Sequence, residues 1–183
     1  QTFSSSFAAA SSFSAEVIRL QKLAETAILT SQAVPFLWCG DEILRDKKGI
    51  RNSYNSPDSI NAIPWNNKTK YNDLFLYVSH LINIRREHKA FRMGASELIR
   101  ENLQFLPSDE KVLAFKLNGS AVGDSWSTII VVLNSNTTST KVQVPLGSYT
   151  IVCQNGQTDS RGLTTFIGKQ VTVHAQSALI MFK

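Results

Sequence analysis

The chain has 183 residues, 43% hydrophobic and 18% charged, with a net charge of +5. That composition suits a globular protein with room for one or two domains and a real core. The lysines and arginines are scattered (Lys47-Lys48, Lys68 and Lys70, Arg85-Arg86) and not interleaved with aromatics, which argues against a nucleic-acid stripe.

No apolar run is long enough to span a bilayer. Gln1 to Ala15 lacks the basic start and long apolar segment of a secretory signal, but the chain does not begin with Met, so the compartment stays open. Cys39 and Cys153 fit neither a metal-ligand spacing nor a disulfide framework, and both read as small buried hydrophobes. No metal and no cofactor is expected.

Residues 1–14, "QTFSSSFAAASSFS", are a low-complexity lead-in with weak structural instructions. Ser14 is placed to cap a helix whose Val17, Leu20, Leu23, Ala24, Ala27 and Ile28 recur at helical spacing. Val34 to Trp38 is a continuous apolar run that suits a strand buried on both faces and ended by Gly40. A long polar loop follows, holding "RNSYNSPDSINAIPW", Arg51 to Trp65. A second helix is expected over Asn72–His88, with Leu74, Tyr77, Val78, Leu81, Ile84 and Arg85 on one stripe. Helix, buried strand, loop, helix is an α/β rhythm. One such repeat cannot bury its strand alone, so 15–94 reads as the end of a larger barrel or sheet.

From about residue 95 the period changes to that of strands. "KVLAFKLNG", "STIIVVLNS", "TKVQVPLG", "YTIVCQNG" and "QVTVHAQSALIMFK" are separated by turn signals such as Asn118-Gly119 and Asn155-Gly156. Residues 95–183 therefore read as an antiparallel β-sandwich of seven or eight strands. Val142 and Val144 point inward, Lys141 and Gln143 outward.

"VPFLWCGDE" resembles the eighth-strand signature of the alpha-amylase family. The stretch "RDKKGIRNSYNSPDSINAIPW" resembles the loop after that strand in pullulanase-type and isoamylase-type debranching enzymes, and "LINIRREHKAFRMG" resembles their last barrel helix. The resemblance runs from about Glu16 to the end, with the pullulanase type nearest. Trp38-Cys39 replaces the small or polar pair more usual before the glycine, and Pro64 stands where an aspartate commonly precedes the tryptophan. The resemblance implies α/β then all-β: the terminal piece of a (β/α)8 barrel followed by an antiparallel β-sandwich. It also implies action on α-1,6 branch linkages of starch-like glucans, with sites at the C-terminal ends of the barrel strands.

A loop leaving strand eight would border the cleft, where neutral amides and hydroxyls suit sugar hydroxyls. Asn52, Tyr54, Asn55, Asp58 and Asn61 are the candidate substrate-binding residues, with Tyr54 stacking on a sugar face and Arg51 orienting Asp58. The competing structural reading is that Asn, Ser, Asp and Pro merely fold the loop. A retaining mechanism needs two carboxyl groups about 5 Å apart. The motifs that carry them in the family are not found here, and Asp41 and Glu42, adjacent on an extended strand, would face opposite sides. No catalytic residue is assigned in this chain, and alone it is expected to be inactive.

The expected partners are a branched α-glucan and either the rest of the barrel or a second copy of the chain. His80 and His88 lie on a helix without a Glu-x-x-His arrangement, so zinc is not expected. The glycosylation sequons at Asn67, Asn118 and Asn136 matter only in a eukaryotic secretory setting. Two rival readings remain: α-1,4 hydrolysis or transfer within the same family, and a non-catalytic carbohydrate-binding module with Trp126 or Tyr149 as the platform. Trp126 reads first as a core or edge residue of the sandwich.

Overall fold

The structure, a computed structural model, describes residues 14–183. The lead-in reading therefore lies, apart from Ser14, outside the described residues. Helix α1 spans Ala15–Thr30, and Ser14 caps it by accepting a hydrogen bond from the Val17 N–H at 3.3 Å. Helix α4 spans Asn72–Glu87 and buries Leu74, Tyr77, Val78, Leu81, Ile84 and Arg85, the same six residues that the 3.6-residue period groups together. Two four-residue helices lie between them, α2 (Asp58–Asn61) and α3 (Asn67–Lys70). Helix α5, Ser96–Asn102, departs from the all-strand reading beyond residue 95; its "SELIREN" holds good helix formers and no β-branched residue except Ile99.

The sheet has seven strands: β1 Leu103–Phe105, β2 Val112–Asn118, β3 Thr128–Asn134, β4 Thr140–Gln154, β5 Gln157–Thr158, β6 Thr164–Val173 and β7 Ser177–Phe182. All the pairings are antiparallel, in the order β1-β2-β3-β7-β4-β5, with β6 also on β4. The runs at 140–147 and 149–156 join as the single long strand β4, whose register shifts between Gln143 and Gly147 beside Pro145. The turn at Asn155-Gly156 has positive φ at both residues (48° and 74°), as a tight hairpin requires.

The two faces of this sheet are buried differently. On one, Phe115, Leu117, Ile129, Val131, Cys153 and Ile180 form a single core with helix residues Val17, Leu29, Leu74, Tyr77, Leu81 and Ile84. On the other, Ala114, Ile130, Val132, Leu179 and Met181 pack with Val142, Tyr149, Ile151, Val171 and Val173, so the paired strands β4 and β6 fold over their own sheet. Strand β3 is buried on both faces for that reason, and reads as a continuous apolar run rather than an alternating one. Each large apolar side chain so buried contributes roughly 1.5–3 kcal/mol.

Three polar connections tie the helices to the sheet, to its connecting loops and to one another. The Tyr77 hydroxyl lies 2.6 Å from Thr26 Oγ1 and 3.2 Å from Cys153 Sγ, joining α1, α4 and β4. Burial pushes the Cys153 thiol up to about 12 and the Tyr77 phenol well above its ordinary value, so both stay neutral. His88 Nδ1 lies 2.7 Å from Asp124 Oδ1, and its ring stacks at 3.5 Å on Trp126, which stacks in turn on Phe182. Burial pushes the Asp124 carboxyl up, but the Ala90 N–H, His88 and the Trp126 N–H outweigh it and hold it below the usual range. Third, Arg85 donates to the carbonyls of Leu29, Ser31, Ala33 and Phe91. Helix α1 has no basic residue in its last turn, so Arg85 satisfies its C-terminal carbonyls from another helix.

The expected strand at Val34–Trp38 is not formed. These residues have no ladder partner in the described chain, and Val34, Phe36 and Trp38 are 93%, 77% and 48% exposed. A parallel strand makes its hydrogen bonds only with neighbours, and among the described residues the sheet is antiparallel and lies elsewhere. Cys39, at the end of this segment, is exposed, whereas Cys153 is buried as expected.

Candidate functional site

The polar loop begins at a tight turn. Gly40 has φ +100°, and a Cβ there would come within 2.7 Å of the Arg45 Cβ, so the position requires glycine. The Arg45 N–H donates to the Gly40 carbonyl at 2.8 Å, and Glu42 Oε2 accepts from the Gly40 N–H at 3.0 Å. Asp41 and Glu42 sit in a 3-10 turn, Asp41–Ile43, and not on a strand. Burial raises the Asp41 pKa. Glu25 of α1, only 2% exposed, is raised to about 7 by burial, with Asp41 and Glu42 adding to the effect.

Asn61 organises the rest of the loop. Its Nδ2 donates to the Ser53 and Ser56 carbonyls at 2.7 Å each, and its Oδ1 accepts from Lys47 Nζ at 2.7 Å. Arg45, buried beneath, donates to the Asn61 and Cys39 carbonyls. Asn67 adds bonds to the Ile43 and Leu44 carbonyls. The loop has little apolar filling, and amide and cationic side chains bonded to its carbonyls hold its shape.

The five candidate residues therefore divide. Asn61 is half-buried and all its amide atoms serve the loop. Asn52 Oδ1 accepts from the Tyr54 N–H at 3.2 Å, an Asx turn that presents the next residues. Tyr54 is 93% exposed, and Asn55 is exposed beside it. Asp58, at the start of α2, borders a concavity of about 260 Å³ with Asp46, Lys48 and Asn67. No ion pair joins Arg51 to Asp58 among the described residues. Asn67, Arg45 and Lys47 are the loop residues that the sequence reading passed over. Nothing in "RDKK" or "PWNNK" separates a buried carbonyl-binding side chain from a surface one.

His88 and His80 each bond to groups of the fold itself. His88 is buried against Asp124, and His80 Nδ1 lies 3.0 Å from the Thr158 carbonyl. No group of three or more metal-ligating side chains converges among the described residues. Trp126 and Tyr149 are both buried, which takes away the platform of the binding-module reading.

The helical layer packed on an antiparallel sheet, with its polar loop, is shared with solved structures of pullulanases. Residues 99–157 match the family described as "Pullulanase, all-beta domain". The chain is 32% identical over 166 residues to pullulanase of Bacillus subtilis (strain 168), covering 88% of this chain and 22% of that protein. It is 30% identical over 141 residues to an isoamylase of Flavobacterium, covering 64% and 18%. The solved structure of pullulanase from Bacillus acidopullulyticus superposes with a TM-score of 0.92 at 39% identity, over 100% of this chain and 23% of that one. The chain is similar to pullulanases over most of its length, and spans about a fifth of the length of the curated relatives it matches.

Proposed function

We propose that this chain is part of a retaining glycoside hydrolase that cleaves α-1,6 branch linkages in pullulan, starch or glycogen, and that it supplies one wall of the cleft. The observation that carries the reading is the match in fold and sequence to a pullulanase, at a TM-score of 0.92 and 39% identity over 100% of this chain and 23% of that one. The Arg51–Trp65 loop supports it chemically. A rigid scaffold centred on Asn61 presents Tyr54 and Asn55 to solvent, as a stacking ring and an amide for sugar hydroxyls.

The exposed run Val34–Trp38 supports the barrel reading. Its apolar side chains have the character of a strand that pairs with polypeptide outside residues 14–183. The paired carboxylates of the mechanism belong to that other polypeptide, and Asp41 and Glu42 shape the turn after Gly40.

Pullulan consists of maltotriose units joined by α-1,6 bonds, so the products decide the reading. A full-length enzyme containing this segment is expected to release maltotriose from pullulan and to leave linear amylose intact. Products that retain α-1,6 bonds would instead establish α-1,4 cleavage. Tyr54→Ala in that enzyme is expected to raise KM several-fold with kcat little changed, the signature of lost ground-state binding.

A further inference from the structure

A groove of about 580 Å³ lies between α1, α4 and the β4–β5 hairpin, and shares no residue with the Arg51–Trp65 loop. Two of its polar side chains are pre-positioned. Lys22 Nζ is held by Asp73 Oδ2 at 3.1 Å and the Gly156 carbonyl at 2.8 Å, leaving one of its three donors for another partner. His80 Nδ1 faces the Thr158 carbonyl at 3.0 Å. The same nitrogen lies 3.1 Å from the Thr158 hydroxyl, so Nδ1 is engaged by Thr158 and Nε2 is the ring nitrogen left for a ligand.

The charges of the lining are paired, Lys22 with Asp73 inside the groove and Asp159 with Arg161, which lies just outside it. A phosphate or a metal ion gains nothing net from such a lining, whereas a neutral polyol finds donors and acceptors of both kinds. Gln157 adds an exposed amide, and Leu76 and Leu163, both exposed, offer an apolar surface for the C–H face of a pyranose ring. We propose that this groove is a second, non-catalytic site for a short neutral α-glucan such as maltotriose. The ligand class rests on the debranching reading, but the position of the site does not.

The test is calorimetric titration of the 183-residue chain with maltotriose, beside the variants Gln157→Ala, His80→Ala and Tyr54→Ala. Gln157 is an exposed hairpin residue, so that variant reports on binding even if His80→Ala perturbs folding. Saturable binding is expected in the millimolar range, weakened about tenfold by either groove substitution and unchanged by Tyr54→Ala. Absence of binding up to about 20 mM would overturn the inference, as would binding insensitive to both groove variants. Loss in Tyr54→Ala alone would place the ligand on the loop, rejecting the groove while upholding the loop reading. Displacement of maltotriose by inorganic phosphate would make this an anion site and overturn the inference.

Discussion

Arg85 offers the sharpest test of how this chain is held together. Its Nη1 donates to the Leu29, Ser31 and Phe91 carbonyls at 2.9, 2.6 and 2.9 Å, and its Nη2 to Ala33 at 2.7 Å. Burial, and then neighbouring Arg92, lower its pKa, yet a guanidinium remains charged near neutrality. Arg85→Met keeps most of the aliphatic stem and removes every donor. The Leu29 and Phe91 carbonyls are then buried without this partner, at about 1–3 kcal/mol each, and the end of α1 loses a cation that its own last turn does not supply. The expected loss is about 4 kcal/mol, a large share of the roughly 5–15 kcal/mol typical of a domain. At 2–4 °C per kcal/mol for a chain of this size, Tm should fall by about 8–16 °C. Arg85→Lys should recover only part of this, because a point charge on one stem does not reach four carbonyls. Urea unfolding followed by tryptophan fluorescence gives the numbers. A cost under about 1 kcal/mol for Arg85→Met would refute the claim that this side chain caps α1.

Other outcomes follow from the same geometry. Glu25 has a folded pKa of about 7 against an ordinary 4.5, so its contribution is fully present below pH 4.5 and is lost as the pH rises through 7. The effect is about 3 kcal/mol, and Glu25→Gln should flatten it in unfolding curves recorded from pH 4 to 8. Asp124 has the opposite sign: its depressed pKa stabilises above the ordinary carboxylate range and the contribution is lost on acidification. Asp124→Ala leaves the Ala90 and Trp126 N–H groups and His88 without their acceptor and should cost about 3 kcal/mol at pH 7, shrinking towards pH 3. Tyr77→Phe breaks the link between Thr26 and Cys153 and should cost about 1 kcal/mol, measured by denaturant titration. Val34→Ser with Phe36→Ser should change the stability of the 183-residue chain by under about 0.5 kcal/mol per site but destabilise a full-length enzyme by several kcal/mol. Equal effects in both would remove the case that this segment is covered there.

The periodic parts of the chain were legible in the sequence because one face of each element is apolar. The buried stripe of α4, the Ser14 cap and the in–out pattern of Val142 and Val144 all follow from local spacing. What local spacing does not carry is the partner across space. "LINIRREHKAFRMG" can be matched by eye, but its chemistry appears only when Arg85 reaches the end of α1, His88 and the Ala90 N–H meet Asp124, and Arg92 Nε donates to the Arg85 carbonyl. Each bond joins residues that the sequence sets apart or orders without hint of direction. The opening loop shows the same division. Its polarity is plain in the letters, but whether an asparagine faces a ligand or its own backbone is a matter of geometry. Asn61 faces inward and the neighbours of Tyr54 do not.

The structural reading of that loop holds for Asn61, and the substrate-binding reading is proposed for Tyr54 and Asn55, so the two apply to different residues. A loop that presents a ring and an amide in fixed positions needs an interior that does not relax, and apolar filling is scarce in a stretch with so few large hydrophobes. Asn61, Arg45 and Lys47 supply that interior through hydrogen bonds, which are directional where packing is not. The result is a turn-rich sequence whose folding residues and whose presenting residues are chemically alike. The same logic explains Val34–Trp38, where the letters of a buried strand are present and the burial is not. An element's sequence is written for its neighbours, and the 93% exposure of Val34 shows how little an apolar run can do alone.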